Sequence, residues 1–404
     1  MRILIISQHF PPERGAVRRL FEFARYFVRQ GHEVSVLTAI PNYPDGVIPP
    51  RYRRRFYFYE EMEGIKVHRC WTLPASNLQR RRRMLGFLVF FCTSLFNSFR
   101  IRPRPEVVLA SMPPVNTPMI GWLISRLRHA RYVIEVRDLE PEACEFLGNL
   151  KPSLFTRGLK KIIHGLYRRA DKIVAVTDGI ADYLKALGLP TEKVTTIKSG
   201  FGDEFLEAAQ DHVRERYGWN GRFLVLYSGT LGRAHALETI IESARRLADR
   251  QDLLFVLVGD GERRAVLEQM TRDYRLRNIV FLGAQPLKSI PGFLKSADVL
   301  VEALRNTPIT SGIFPAKLFE YMASGRPILF GARDGEAIRE LRAAGGALSF
   351  ASDDAAKLCE LILQIKSGTI DGDALGRCYS EHAERFHRRE RWAKDYLAFL
   401  VNKE

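Results

Sequence analysis

Apolar residues along the chain fall into short dense runs, separated by longer stretches in which they recur every three or four positions. Residues 2–7 (RILIIS) form one β-rich run. A loop with Pro11, Pro12 and Gly15 follows, then a helical pattern, AVRRLFEFARYFVRQ, that stops at Gly31 before a second run, EVSVLT. Run, glycine-containing turn, amphipathic helix and run make a βαβ unit, and its repetition implies a parallel sheet covered by helices. Further runs at 106–110, 132–136 and 172–176 extend this first series. A second series begins near Arg222, with strands predicted at FLVLYSG, LLFVLVGDG, NIVFLG, DVLVEAL and PILF and helices over 237–250, 262–275 and 316–324. Between the two series, residues 196–206 (TIKSGFGDEFL) carry two glycines without periodicity and read as a hinge. A last helical pattern covers 379–401.

The expected fold is therefore α/β, with two Rossmann-like domains whose parallel sheets face each other across a cleft. The boundaries read as 1–195 for the first domain, 196–378 for the second, and 379–404 for a closing helix that packs back toward the first. Ligands are expected at the carboxyl ends of strands.

Length agrees with this division, since 404 residues exceed one core and suit two or three units of ~100–200 residues. Five cysteines (Cys70, Cys92, Cys144, Cys359, Cys378) are scattered, odd in number and form no C-x-x-C pair. A disulfide scaffold and a cysteine zinc site are disfavoured, and reducing cytosol is the natural compartment. The opening run lacks a small-residue cleavage site, so it reads as a strand rather than a leader. No stretch reaches the ~20 apolar residues of a membrane-spanning helix. A net charge of +16 points to an anionic partner, whether nucleic acid, membrane or phosphorylated substrate.

The first loop lacks G-x-G-x-x-G, which disfavours a dinucleotide cofactor. Gly15 can still ease a tight turn or admit a phosphate to the following helix amino terminus. The most specific segment is 311–329, SGIFPAKLFEYMASGRPIL. With GHEVSVLT at 31–38, SGFGDEF at 199–205, YSGTLGRAHALETII at 227–241, VGDGE at 258–262 and FLGAQP at 281–286, its order and spacing resemble the family 4 glycosyltransferases, retaining enzymes of the GT-B fold.

The resemblance implies a donor site on the second domain at Gly229, Thr230, His235, Gly259, Gly261, Gly283, Phe314, Lys317, Leu318 and Glu320, with Gly15 from the first. Glu320 takes the place of the family's second motif glutamate, and its carboxylate can accept both ribose hydroxyl hydrogens. Lys317 and Arg233 are the cations expected to meet the diphosphate. Two departures stand out: the first motif glutamate is replaced by Gly312, and the family's Arg and Lys phosphate ligands fall at Thr230 and His235. This variant resembles the subgroup that builds bacterial O-antigen, capsule and colanic acid, which also tends to carry RDL-x-PE, here Arg137, Asp138, Leu139, Pro141 and Glu142. Arg137 stands where many members have a strand-end histidine, and Arg137 with Asp138 is expected to orient sugar hydroxyls; a structural ion pair is the plainer alternative. His9 is a further candidate. The implied chemistry rests on stabilising a leaving diphosphate by fixed cations and helix amino termini, with no protein nucleophile and no cofactor or metal. Asp371-Gly372-Asp373, the lone D-x-D, reads as a turn.

Ten of the sixteen net charges lie in residues 51–105, where thirteen Lys and Arg face three Glu. There Arg80, Arg81, Arg82 and Arg83 precede MLGFLVFFCTSLFNSF, whose Thr93, Ser94, Asn97 and Ser98 form one polar strip on a helix otherwise covered by apolar side chains. This suits a membrane-associating segment, with Phe87, Phe90 and Phe91 at the bilayer interface and arginines on anionic headgroups; a core helix with a solvated arginine face is the alternative, and both hold if one side packs inward. RYRRRFYFY at 51–59 has the same basic-aromatic character.

The expected function is transfer of a sugar from a nucleotide sugar, UDP-linked, to a polyprenyl-diphosphate glycan at the cytoplasmic face of the inner membrane, with peripheral or monotopic association. A degenerate GT-B protein that binds without turnover is one alternative. A nucleic-acid-binding protein is another, disfavoured because no nucleic-acid module is present and the basic window is interleaved with apolar residues.

Overall fold

Two sheets account for the two series of apolar runs in the computed structural model, which describes residues 1–13, 17–76, 79–142, 145, 151–207, 212–307 and 312–402. The chain divides into one unit of Met1–Lys198 with Glu390–Glu404 and a second of Ser199–Arg389.

The first unit holds β1 (Arg2–Ile6), β2 (Glu33–Ala39), β3 (Tyr57–Met62), β4 (Ile65–Cys70), β5 (Val107–Met112), β6 (Arg131–Val136), β7 (Lys172–Ala175) and β8 (Val194–Thr196). Among the described residues their order is β3-β4-β2-β1-β5-β6-β7-β8, with β3 antiparallel and the rest parallel. The second unit holds β9 (Phe223–Ser228), β10 (Leu253–Val258), β11 (Ile279–Gly283), β12 (Val299–Ala303), β13 (Ile328–Gly331) and β14 (Leu348–Phe350) in the all-parallel order β11-β10-β9-β12-β13-β14. Strands such as β5 and β10 are buried along their whole length. That is why they read as unbroken apolar runs: a parallel sheet carries helices on both faces, so alternation is lost.

Three parts differ from the sequence reading. RYRRRFYFY leads into an antiparallel hairpin, β3–β4, turned at Glu63 and Gly64, both with positive φ as a two-residue turn requires. Tyr52 from this segment is buried and its hydroxyl donates to Glu60 at 3.1 Å, so it is not a surface aromatic. The three-residue edge strands β8 and β14 are too short to leave a period.

The expected single helix over 379–404 is two helices, Gly372–Phe386 and Arg389–Val401. The intervening backbone is taken up by pairing: Phe201 N donates to His387 O at 3.0 Å, and Arg389 N donates to Phe201 O at 2.9 Å. The later helix belongs to the first unit, where Tyr396 meets Phe23 and Phe27 edge-on at 5.6 and 5.7 Å.

Candidate functional site

In the second unit the loops leaving β9, β10 and β11 are tied to one another by backbone. Gly229 N donates to Val258 O, Leu231 N to Asp260 O and Gly259 N to Gly283 O, each at 2.9 Å. Such close approach depends on absent side chains: Gly229 and Gly259 both have positive φ (151° and 140°). A Cβ on Gly259 would collide with Gly229 O, and one on Gly229 with the Lys317 ammonium. Gly261 packs on the Leu231 backbone and Gly283 beside the Arg264 guanidinium.

The loop from β9 leads to a charge network. Glu302, next to last in β12, is completely buried, and its two oxygens are divided between two cation-forming partners. Lys317 Nζ lies 2.7 Å from Oε2 and His235 Nδ1 2.7 Å from Oε1. Burial alone would push the Glu302 carboxyl up; Lys317, then His235, outweigh it and hold it down at about 2. Lys317 also donates to Tyr227 Oη at 2.8 Å and sits 4.1 Å from the centre of that ring. The Tyr227 hydroxyl in turn donates to Thr230 O at 2.7 Å. Tyr321 clamps the end of β9, accepting from Ser228 N at 2.7 Å and donating to Ser228 O at 3.0 Å. A side chain from β12, one from helix Ala316–Ala323 and one from the β9 loop thus converge. The Lys317 side chain keeps 15% of its surface exposed, whereas Glu302 keeps none.

Glu302 was missing from the sequence reading, although one charged residue inside the apolar run DVLVEAL is a signal: a buried carboxylate needs a partner. Of the predicted residues, Glu320 is half-buried on the same short helix as Lys317, three positions on. Phe314 and Leu318 are core residues, Phe314 stacked on Phe319 at 4.3 Å. Thr230 is exposed and offers its carbonyl to Tyr227. Arg233 is exposed and faces Glu262 at 3.2 Å. Gly312 lies among the described residues ahead of the helix. Asp371 caps helix Gly372–Phe386 by accepting from Ala374 N at 2.8 Å, which gives it a helix-starting role.

The first unit contains a matching buried carboxylate. Glu135, next to last in β6, accepts from Ser111 Oγ at 3.0 Å and faces Arg19 at 3.4 Å. Arg19 also donates to Ile197 O at 2.7 Å and lies 4.5 Å over the Phe23 ring. Burial draws this guanidinium below its ordinary value, against the attraction of Glu135. Arg137 follows β6, its backbone N donating to Met112 O at 2.9 Å and its guanidinium reaching Pro113 O at 3.3 Å; Asp138 is exposed. His9 Nδ1 lies 2.8 Å from Glu13, whose other oxygen accepts from Asn42 N and Tyr43 N. Gly15 lies outside the described residues.

Helix Arg80–Ser98 has its polar strip turned inward. Ser94, Asn97 and Ser98 are buried, and Thr93 Oγ1 donates to Trp71 O at 2.7 Å. Met84, Leu85, Leu88, Phe96 and Phe99 are exposed, preceded by the exposed Arg81, Arg82 and Arg83. Phe90, expected at the bilayer interface, is instead fully buried against β1 and β2 residues, because the inward side of the helix fills the core there. Phe87 and Phe91 are half-buried. Of Arg80 only the position at the helix start is described.

Comparison with known proteins fits this architecture. Residues 14–200 match the family model described as a glycosyl transferase 4-like domain, and residues 222–367 match glycosyl transferases group 1. The putative colanic acid biosynthesis glycosyl transferase WcaI of Escherichia coli K12 is 26% identical over 339 residues, 80% of this chain and 82% of that one. A GDP-mannose-dependent alpha-mannosyltransferase of Mycolicibacterium smegmatis is 27% identical over 342 residues, 81% and 79% of the two chains. The crystal structure of Anabaena Alr3699/HepE in complex with UDP shares the fold at a TM-score of 0.74 and 16% identity, covering 99% of each chain. Both domain matches, in the order and at the positions of the two units, place the chain in the family 4 glycosyltransferases: it is an enzyme of the GT-B fold.

Proposed function

We propose that the chain transfers a sugar with retention from a nucleotide sugar, UDP-linked by preference, to a polyprenyl-diphosphate-linked glycan in bacterial surface polysaccharide synthesis. One observation supports this most: the network of Lys317, Glu302 and His235 beneath the glycine loop of β9, with Glu320 on the helix that carries Lys317. A diphosphate brought against Lys317 meets a cation whose position is fixed by Glu302 and Tyr227, so little reorganisation is needed as charge develops. Glu320 then takes the ribose hydroxyls. In the reaction, the bond from the anomeric carbon to the diphosphate oxygen breaks and one to the acceptor oxygen forms on the same face. The acceptor proton goes to a diphosphate oxygen. Arg137 and Asp138, beyond the end of β6, orient sugar hydroxyls.

UDP is favoured over GDP by the fold shared with a protein seen in complex with UDP; the mannosyltransferase relative makes GDP-mannose the second donor to try. No helix among the described residues is long and apolar enough to cross a membrane. The inside-out helix Arg80–Ser98 supports association with the cytoplasmic face of the inner membrane instead. Its apolar side lies in the interface and its arginines contribute ~1 kcal/mol each on anionic headgroups.

The test is a turnover screen of UDP-, GDP- and dTDP-sugars with polyprenyl-linked acceptors in detergent. Sugar transfer from one donor, with the anomeric configuration kept, is expected. Binding of a nucleotide sugar without transfer to any acceptor would favour a degenerate binding protein, to which the missing glutamate at Gly312 lends weight.

A further inference from the structure

Helix Gly372–Phe386 ends at His387, whose backbone N still donates to Ala383 O at 2.7 Å. Were the helix continued, positions 382 and 387 would stand about 140° apart around its axis at 3.6 residues per turn. Departure from the helical path at His387 (φ −123°, ψ 16°) turns both rings to one side, with centroids 5.4 Å apart. Glu340, from helix Glu336–Ala343, reaches the same point. Its Oε1 lies 2.7 Å from His382 Nε2 and 2.8 Å from His387 Nε2. All three atoms lie within 4.8 Å of one another. His387 is buried and the other two are half-buried, while Phe319 and Phe386 wall the imidazoles at 4.9 and 4.8 Å.

Two imidazoles and one carboxylate suit borderline transition metals rather than Mg²⁺ or Ca²⁺, which take oxygen ligands. The same set of two histidines and a glutamate holds zinc where a fourth position is left to water. At ~2.0–2.1 Å per bond, a tetrahedral ion holds its ligand atoms about 3.3 Å apart, so the carboxylate oxygen must withdraw by about half an ångström from each histidine and the two imidazole nitrogens must settle at that same spacing. These residues come from elements that the sugar-transfer site does not use.

We propose that Glu340, His382 and His387 form a binding site for one divalent ion of the zinc type, which braces two helices of the second unit where the chain leaves helix Gly372–Phe386. The brace acts on a tight junction. His387 O accepts from Phe201 N, and Gly200, with φ 58°, packs so closely on that carbonyl that a Cβ would not fit beside it.

The test uses the full chain, free of any affinity tag and stripped with a chelator. Titration with Co²⁺ should give the intense visible absorption of a four-coordinate ion, saturating at one equivalent and displaced by Zn²⁺, and one equivalent of Zn²⁺ should raise the melting midpoint. In His382→Ala and in Glu340→Gln the affinity should fall by more than the roughly 10–100-fold that loss of an outer partner costs. The midpoint should then no longer respond to one equivalent of metal. Glu340→Gln keeps an acceptor for the histidines and so keeps the fold testable should His382→Ala unfold. Absence of the cobalt spectrum at one equivalent, or variants that bind and respond as the wild type does, would overturn the proposal. Because the readout is spectroscopic and thermal, it stands or falls apart from sugar transfer.

Discussion

Each unit of the molecule buries one glutamate at the next-to-last position of an inner parallel strand, Glu135 in β6 and Glu302 in β12. Their surroundings differ. Glu135 is held by Ser111 from a neighbouring strand and by Arg19 from helix Val17–Arg29, and Arg19 in turn reaches the carbonyl of Ile197. Every partner is part of the scaffold, and both charges are shut away from water. Glu302 is held by Lys317 and His235, which come from a short helix and a glycine loop, and the Lys317 side chain keeps 15% of its surface exposed. The same device therefore locks a sheet to its helices in one unit and fixes a lysine beside a glycine loop in the other. A buried ion pair is weak evidence of stability by itself; what its partners can still reach decides its use.

The largest effect should come from breaking the closed pair. Arg19→Met leaves Glu135 buried without its cation, and chemical denaturation should show a loss of about 3–5 kcal/mol. Adding Glu135→Gln should restore most of it. If Arg19→Met alone costs less than the usual surface substitution, the pair is not the lock described here.

Acid should separate the units next. In the first, burial, with Lys66 adding to it, holds His68 down at about 4 against an ordinary 6.5. The fold favours neutral imidazole, so this stability is complete above about pH 6.5 and is lost as the pH falls toward 4, up to roughly 3 kcal/mol at ~1.4 per unit. Glu302, held at about 2 against 4.5, gives stability that is complete above 4.5 and lost only between there and 2. Hydrogen exchange from pH 7 to 4.5 should show the first unit loosening before the second, and His68→Gln should flatten that slope. Equal loosening of both units would break the distinction.

A smaller effect is expected at the open network. Glu320→Ala should leave the melting midpoint near the wild-type value but weaken nucleotide binding by about 1.5–3 kcal/mol, roughly ten- to a hundredfold, by calorimetry. The 2′-deoxyribonucleotide, which keeps only the 3′-hydroxyl, should show a smaller difference between variant and wild type than the ribonucleotide does, since one of the two contacts is already gone.

The same contrast explains what could be read from the chain beforehand. Parallel strands buried on both faces announce themselves as LLFVLV or VVLASM, and the glycine-bearing segments between them mark the loops at their ends. Helix Arg80–Ser98 was legible as a helix with one polar strip, but the direction of that strip was not. A polar strip is ordinarily the wet side, whereas here Ser94 and Asn97 face inward and leave Phe96 and Leu88 exposed. Glu302 and Glu135 escaped because pairing between residues 67 or 116 positions apart has no local period. The split of the last helical segment escaped for a similar reason: His387 is drawn out of the helix by Phe201, far away in sequence.

The central claim is that the second unit's buried carboxylate exists to present Lys317 to a diphosphate. Calorimetric titration with the donor nucleotide sugar, UDP- and GDP-linked in turn, tests it most directly on two charge-neutral double variants, Lys317→Met with Glu302→Gln and Arg19→Met with Glu135→Gln. Removing both charges of each pair avoids stranding either one in the core. The account predicts that the first variant loses at least the ten- to hundredfold affinity of a charge-assisted hydrogen bond while folding as the wild type does, and that the second keeps its affinity. Undiminished donor binding by the Lys317→Met, Glu302→Gln variant would contradict it.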